Sequence, residues 1–458
     1  MRYRLDPAVE VLDGGRALLG GDPTRLLRLS DAGARTVERW RVDGLEPETR
    51  AERKLVDRLL DAGMLHPQPV PAVTGTPPTV VVPVHDRVDA LDRCLAALVA
   101  SGAVDLVVVD DASADPDAHR AVAERHGAAF VGRGVNGGPA ACRMTGWDHL
   151  AARSERPELV AFVDSDIGVT ADCWPALVAH FDDPMTGLVA PRVRHVEGAG
   201  PVDRYEAANS PLDLGADPAP IMAGTRVAYV PAAALVLRAE AFAEVGGFDE
   251  SLDVGEDVDL LWRLADAGWR CRYEPASTVA HAGRSSLVPM LRRRFDYGRS
   301  AAELDLRHPG ALPPVRGSRW SAAVVVLAVA GHPVAAGALS AWTVREMARK
   351  LGAVPGASVL AARLVLRGHL GFARQVARAA VRPWLPLTMA LSIISRRARR
   401  VAIVAALVSP VLAWRERRPA VTLPMWTALW LADDVAYTAG VWAGCIRRRT
   451  IGPLTADL

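Results

Sequence analysis

Apolar and polar positions change register three times along this chain. Between residues 79 and 164, short runs that are apolar throughout alternate with stretches in which apolar residues recur at helical spacing. "TVVVPV", "VDLVVVD", "AAFV" and "LVAFVD" predict buried strands. "DALDRCLAALVAS", "DPDAHRAVAERHG" and "GGPAACRMTGWDHLAAR" predict the helices between them. Strands without a polar face, alternating with helices, predict a parallel sheet covered on both sides. Further on, Ala234–Leu237 reads as a strand and Ala239–Val245 as a short helix. Gly246-Gly247-Phe248-Asp249-Glu250 reads as a tight turn. Glu256 and Asp257 then open a helix whose apolar face carries Val258, Leu261, Leu264 and Ala265.

Residues 1–66 follow a different, mixed pattern. "VEVLDGG" and "RALLGG" predict two strands joined by a Gly-Gly turn, and Ser30 or Asp31 caps the helix of "LSDAGARTVERW". "PETRAERKLVDRLLDAGML" is amphipathic through Leu55, Leu59, Leu60 and Met64. The Pro-rich stretch at 67–78 marks a linker. After residue 310 the chain turns Ala/Val/Leu-rich. "SAAVVVLAVAGHPVAAGALSAWTV" (321–344) has no charged residue and the length of a membrane span, although Gly331, His332 and Pro333 interrupt it. Shorter apolar runs end in "RRARR", "RERR" and "RRR". Core helices with solvated arginine ends, or a membrane-associated helical region at 311–458 with its basic clusters toward the cytoplasm, both fit this pattern.

Composition narrows the class. A formal net charge of +2 over 458 residues gives no whole-chain argument for nucleic acid. The five cysteines are odd in number, widely spaced and form no CxxC. That speaks against a disulfide framework or zinc site and for a reducing cytosol. "MRYRLDPAVE" lacks a signal-peptide core. The expected location is the cytoplasm or the cytoplasmic face of the plasma membrane.

Ligands of parallel sheets bind beyond the carboxyl ends of the strands. Those ends here are Pro83-Val84-His85-Asp86, Asp110-Asp111-Ala112-Ser113 and Asp164-Ser165-Asp166. Gly132–Gly137 matches G-x-G-x-x-G. It lies in the third unit, however, and Glu158 starts a strand rather than ending one, so a ligand-approaching loop is expected instead of a dinucleotide site. Two carboxylates spaced as Asp164 and Asp166 repel unless a cation lies between them. Mg²⁺ or Mn²⁺ bridging to a diphosphate is one reading, and a solvated strand terminus is the other. Glu256 and Asp257 suit the helix dipole. A carboxylate there also suits a general base. The basic helix at 292–310 reads either as solvated or as closing over a diphosphate.

"VVPVHDR", "VVVDDASAD", "NGGPAACRMTG", "FVDSDIG", "VGGFDE", "GEDVDLLWRL" and "VAHAG" together resemble family 2 glycosyltransferases across residues 79–300. The resemblance implies a GT-A nucleotide-diphospho-sugar transferase core (79–310) with inverting, Mn²⁺- or Mg²⁺-dependent chemistry. Asp257 would be the catalytic base, and Glu256 and Trp262 would bind the acceptor. Pro83, His85, Asp86, Asp110, Asp111, Gly137 and Asp164 would line the nucleotide-sugar pocket. Asp166 would bind the metal. His281 would be a further metal or diphosphate ligand, or else a strand-end core histidine. His85 departs from the amide or hydroxyl residue common at its position.

Residues 1–66 resemble the PqqD-type peptide-recognition domain, a small winged-helix-type fold that pairs a leader peptide with its sheet. The combination is similar to the glycosyltransferases of mycofactocin biosynthesis. It implies a UDP-glucose donor and a peptide-derived redox-cofactor precursor as acceptor. Membrane transferases of cell-wall or exported polysaccharide are the alternative. An inactive peptide-binding scaffold is the alternative of a different class.

Overall fold

The computed structural model describes residues 1–43, 46–69, 77–196, 198–282, 286–352 and 354–458. It divides into two units: Met1–Glu197 with Asn209–Gly283, and Gly198–Ala208 with Arg284–Leu458.

The first unit is built on a nine-stranded mixed sheet. Strand Thr79–Val84 runs parallel to Leu106–Asp110 on one side and to Leu159–Val163 on the other, and Ala129–Gly132 adds a further parallel strand at the edge. These are the four predicted strands. Helices Val88–Ala100, Pro116–Arg125 and Gly138–Ala151 lie between them as the periodicity requires. Val80, Val82, Leu95, Val108, Ala161 and Val236 sit in one continuous core.

Beyond Leu159–Val163 the sheet stops being parallel; the expected parallel arrangement holds for the four strands it was read from. Ala234–Arg238 pairs antiparallel with Leu159–Val163, and Thr186–His195 antiparallel with Ala234–Arg238. Arg270–His281 then runs parallel to Thr186–His195. Apolar runs carry no mark of strand direction, so the sequence pattern could not show this reversal. A two-residue strand, Ile167–Gly168, pairs with the far end of Arg270–His281 and brings Ile167 opposite His281.

Residues 1–68 belong to the same unit. Glu10–Leu12, Ala17–Gly20 and Arg25–Arg28 form the small sheet, and Arg2–Leu5 pairs with Leu65–Gln68. That last strand takes in the first part of the expected linker; residues 70–76 lie outside the described ones. Ser30 Oγ accepts from the Gly33 amide at the start of helix Asp31–Asp43. Thr49 and Glu52 make a reciprocal capping box for Arg50–Asp61. Trp40, Leu59, Leu60 and Met64 fill the core. Arg270, at the start of its strand, joins this segment to the large sheet by pairing with Asp57 (2.8 Å), Asp61 (3.2 Å) and Asp183 (3.0 Å).

The second unit is helical. Leu287–Arg307 packs along Leu423–Arg448, where a Cβ at Gly298 or Gly440 would collide with the facing backbone. Arg294 binds both Glu206 and Asp433 in its interior. The apolar run at 321–344 is not one helix. Arg319–Ala330 ends at Gly331, with φ of +87°, and Pro333–Leu351 begins anew. Among the described residues no helix is long and apolar enough to cross a membrane, which corrects the expected span.

Candidate active site

The chemistry-bearing residues gather where the parallel strands end. His85, Asp86 and Arg87 follow Thr79–Val84. Asp86 takes a φ of +54° and Ala112, in the neighbouring turn, +56°. Few non-glycine residues adopt this region, and strain of that kind concentrates at functional sites. Asp86 is fixed there: its N–H donates to Ser113 Oγ (2.9 Å) and its Oδ1 accepts from Ala114 N–H (2.7 Å). The His85 ring stands 3.0 Å from the Asp111 carbonyl, with the Asn136 amide 3.2 Å from its Nε2.

Asp110 and Asp111 divide their work. Asp110 is buried and accepts from the Ser113 N–H (3.1 Å). It shapes the turn that carries Asp111. Asp111 accepts from the Gly137 and Gly138 amides (3.0 and 2.8 Å) and pairs with Arg133 (2.9 Å). The glycine-rich loop therefore spends two amides on a protein carboxylate. Asp111→Ala leaves both amides and a mostly buried guanidinium without that partner. It should lower stability by about 2–4 kcal/mol, read by denaturant titration; an unchanged midpoint would show the loop to be held elsewhere.

Asp164 and Asp166 do not lie along one extended strand. The strand ends at Val163, and the Ile167 amide closes a turn on the Asp164 carbonyl (3.0 Å). Each carboxylate meets its own arginine. Arg143, on helix Gly138–Ala151, donates to Asp164 (2.7 Å) and to Glu256 (2.9 Å) and lies 5.3 Å from the Phe248 ring centroid. Arg87 pairs with Asp166 at 2.5 Å. The two pairs differ in weight. Removing one partner of a buried cluster such as that of Arg143 costs about 3–5 kcal/mol. The Arg87 pair is a third exposed on the arginine side, and pairs of that kind contribute about 0–1 kcal/mol. Arg87 is partly exposed and holds Asp166 alone, whereas Arg143 is buried and holds two carboxylates, so Asp166 is the freer of the two to exchange its cation.

His281 Nε2 lies 3.8 Å from the other oxygen of Asp166. One carboxylate with one imidazole fits a divalent ion that takes its remaining ligands from water and a diphosphate. Among the described residues no group of three His, Cys, Asp or Glu side chains could hold a metal unaided.

Asp257 sits in the first turn of Glu256–Asp266, whose Gly255 cap has φ of +92°. Its carboxylate accepts from Val258 N–H (2.8 Å) and Ala232 N–H (3.2 Å). The next residue, Ala233, accepts from the Asp164 N–H (2.9 Å). One short segment thus places Asp257 and Asp164 beside each other. Burial, with the Glu256 charge next to it, pushes the Asp257 carboxyl up to about 7. A base poised there works near neutral pH.

Pro83 lies within its strand beside Val109. Trp262 is buried, with its indole N–H on the Ala228 carbonyl (2.8 Å). From there it braces the 227–232 segment. Sequence reading passed over Arg87, Asn136 and Arg143. Arg143 did carry a signal, as a charged residue amid the small apolar ones of "GGPAACRMTG".

The family profile of glycosyl transferase family 2 matches residues 79–238, and that of glycosyl transferase family group 2 matches residues 159–415. Over 468 aligned residues the chain is 39% identical to the pre-mycofactocin glycosyltransferase of Mycobacterium tuberculosis, covering 99% of this chain and 97% of that protein. A stretch of 106 residues is 40% identical to the succinoglycan biosynthesis protein ExoA of Rhizobium meliloti, covering 23% of this chain and 29% of that one. Among solved structures, GalNAc-T7 with UDP, GalNAc and Mn²⁺ is 15% identical at a TM-score of 0.36, covering 51% of this chain and 50% of that chain. With that profile across the strands of the mixed sheet and a relative that matches from end to end, the chain belongs to the family 2 glycosyltransferases.

Proposed function

We propose that the chain is an inverting glycosyltransferase that moves glucose from UDP-glucose to a hydroxyl of a peptide-derived redox-cofactor precursor. The full-length similarity to pre-mycofactocin glycosyltransferase supports the acceptor class. The observation that carries the mechanism is Asp257, a carboxyl lifted to about 7 and joined through Ala232 and Ala233 to Asp164.

Asp257 takes the proton of the acceptor hydroxyl as that oxygen attacks the anomeric carbon. The bond to the UDP oxygen breaks from the opposite face, so an α-linked donor gives a β-glycoside. Glu256, held by Arg143, fixes the acceptor side. Asp164, held by the same arginine, meets the donor ribose. His85, Asp86 and Asn136 line the nucleobase end. Asp166 and His281 would hold Mn²⁺ or Mg²⁺, which neutralises the diphosphate when bound. Residues 1–66 act as a PqqD-like module that receives the leader segment of the acceptor peptide.

The test is a screen of the full chain with metal, several nucleotide sugars and the peptide-derived acceptor, read by mass spectrometry. A hexose added only with UDP-glucose supports the reading. Transfer to a lipid-linked sugar instead, with the peptide untouched, would give the chain to polysaccharide assembly.

A further inference from the structure

The helical unit carries a surface that the transfer chemistry does not use. Helix Leu385–Ile394 buries none of its side chains. Leu387, Met389, Leu391, Ile393 and Ile394 are each more than half exposed, the last two above four-fifths. Helix Arg396–Arg417 packs beside it and adds Ile403 and Val404, also more than half exposed. The hairpin is anchored on its other face, where Ala405, Pro410 and Ala413 are buried and the Pro410 carbonyl accepts from Trp426 Nε1 (2.9 Å). Single exposed apolar residues are ordinary on a protein surface; a helix apolar on all sides is not.

Charge says what covers it. Ser395 alone separates the two helices, and the first turn and a half of the second carries Arg396, Arg397, Arg399 and Arg400. Residues 347–415 contain twelve Lys and Arg and no Asp or Glu. A second copy of the chain would bring the same positive field to the contact and be repelled. A bilayer with anionic headgroups offers the complement on both counts: negative charge at the surface and hydrocarbon beneath it. Ten helical residues extend about 15 Å, half the hydrocarbon thickness of about 30 Å, so this helix can enter one leaflet and not cross.

We infer that the 385–404 hairpin docks the enzyme on an anionic membrane surface, with Leu387–Ile394 sunk among the acyl chains and the four arginines at the headgroups. The inference rests on the helical unit alone and is independent of donor and acceptor. The test is flotation of the full chain with phosphatidylcholine vesicles, with and without about a third phosphatidylglycerol. Wild type should float with the anionic vesicles and lose most of that binding at high salt. Arg396→Gln with Arg400→Gln should weaken it by about 25-fold. Ile393→Asp with Ile394→Asp should abolish it while UDP affinity and the thermal melt stay unchanged. No flotation of wild type, or equal flotation of all three proteins, overturns the inference. A dimer in sedimentation that the Ile393→Asp, Ile394→Asp variant turns monomeric, with no vesicle binding, would assign the face to a second copy and overturn it too.

Discussion

Asp257→Asn is expected to lower the transfer rate by about 10²–10⁴-fold while leaving UDP-sugar affinity largely unchanged. The amide keeps the size of the carboxylate but only one of its two acceptor oxygens, so it can accept from the Val258 or the Ala232 amide and not from both, and it cannot take a proton. Wild-type rate should climb with pH and level off above about 7, because the base works only when deprotonated. Stability should move the other way. The folded-state carboxyl titrates near 7 against an ordinary value of 3.8. Between those values the folded chain holds a proton that the unfolded chain has lost, so this contribution is full below about 4 and is lost as pH rises through 7. Asparagine carries no charge to bury. The variant should therefore melt several degrees above wild type at pH 8 and close to it at pH 4. Turnover near wild type, or a rate flat between pH 5 and 9, would remove Asp257 from its role.

Asp166→Ala is expected to cost at least about 100-fold in Mn²⁺-dependent UDP affinity, measured by calorimetry with and without metal. The Arg87–Asp166 pair adds a prediction of opposite sign. Arg87→Met releases Asp166 from its competing cation. Because that pair contributes about 0–1 kcal/mol, nucleotide-free Mn²⁺ should bind up to about fivefold more tightly, followed by the loss of the free-ion electron spin resonance signal. Metal-independent UDP binding, unchanged by Asp166→Ala, would sink the bridge between this carboxylate and the diphosphate. Normal metal-dependent binding in Asp166→Ala with the signal unaltered in Arg87→Met would move the ion to other ligands.

The elements of the parallel half were legible because Val80, Val108 and Ala161 sit in strands buried on both faces, which leaves a continuous apolar run. Strand direction past Val163 was not, since antiparallel Ala234–Arg238 is buried just as completely. The acidic strand ends stood out as motifs, yet their division of labour depends on partners far along the chain. Asp111 is spent on the loop amides of Gly137 and Gly138, and Asp110 on its own turn. The cations of Asp164 and Asp166 come from Arg143 and Arg87, 21 and 79 residues away. No local spacing encodes such pairs. The cover that the 227–232 loop gives Trp262 is likewise invisible to helical periodicity, which gives the face of a residue and not what packs on it.

In the proposed reaction donor, acceptor and base meet in one displacement. The measurement that tests it most directly is the anomeric configuration of the product made from UDP-glucose and the peptide-derived acceptor, read by proton NMR. One new glucosyl residue with the large H1–H2 coupling of a β-linkage is expected. An α-linked product, or no glycosylated acceptor in the presence of metal and donor, would contradict it.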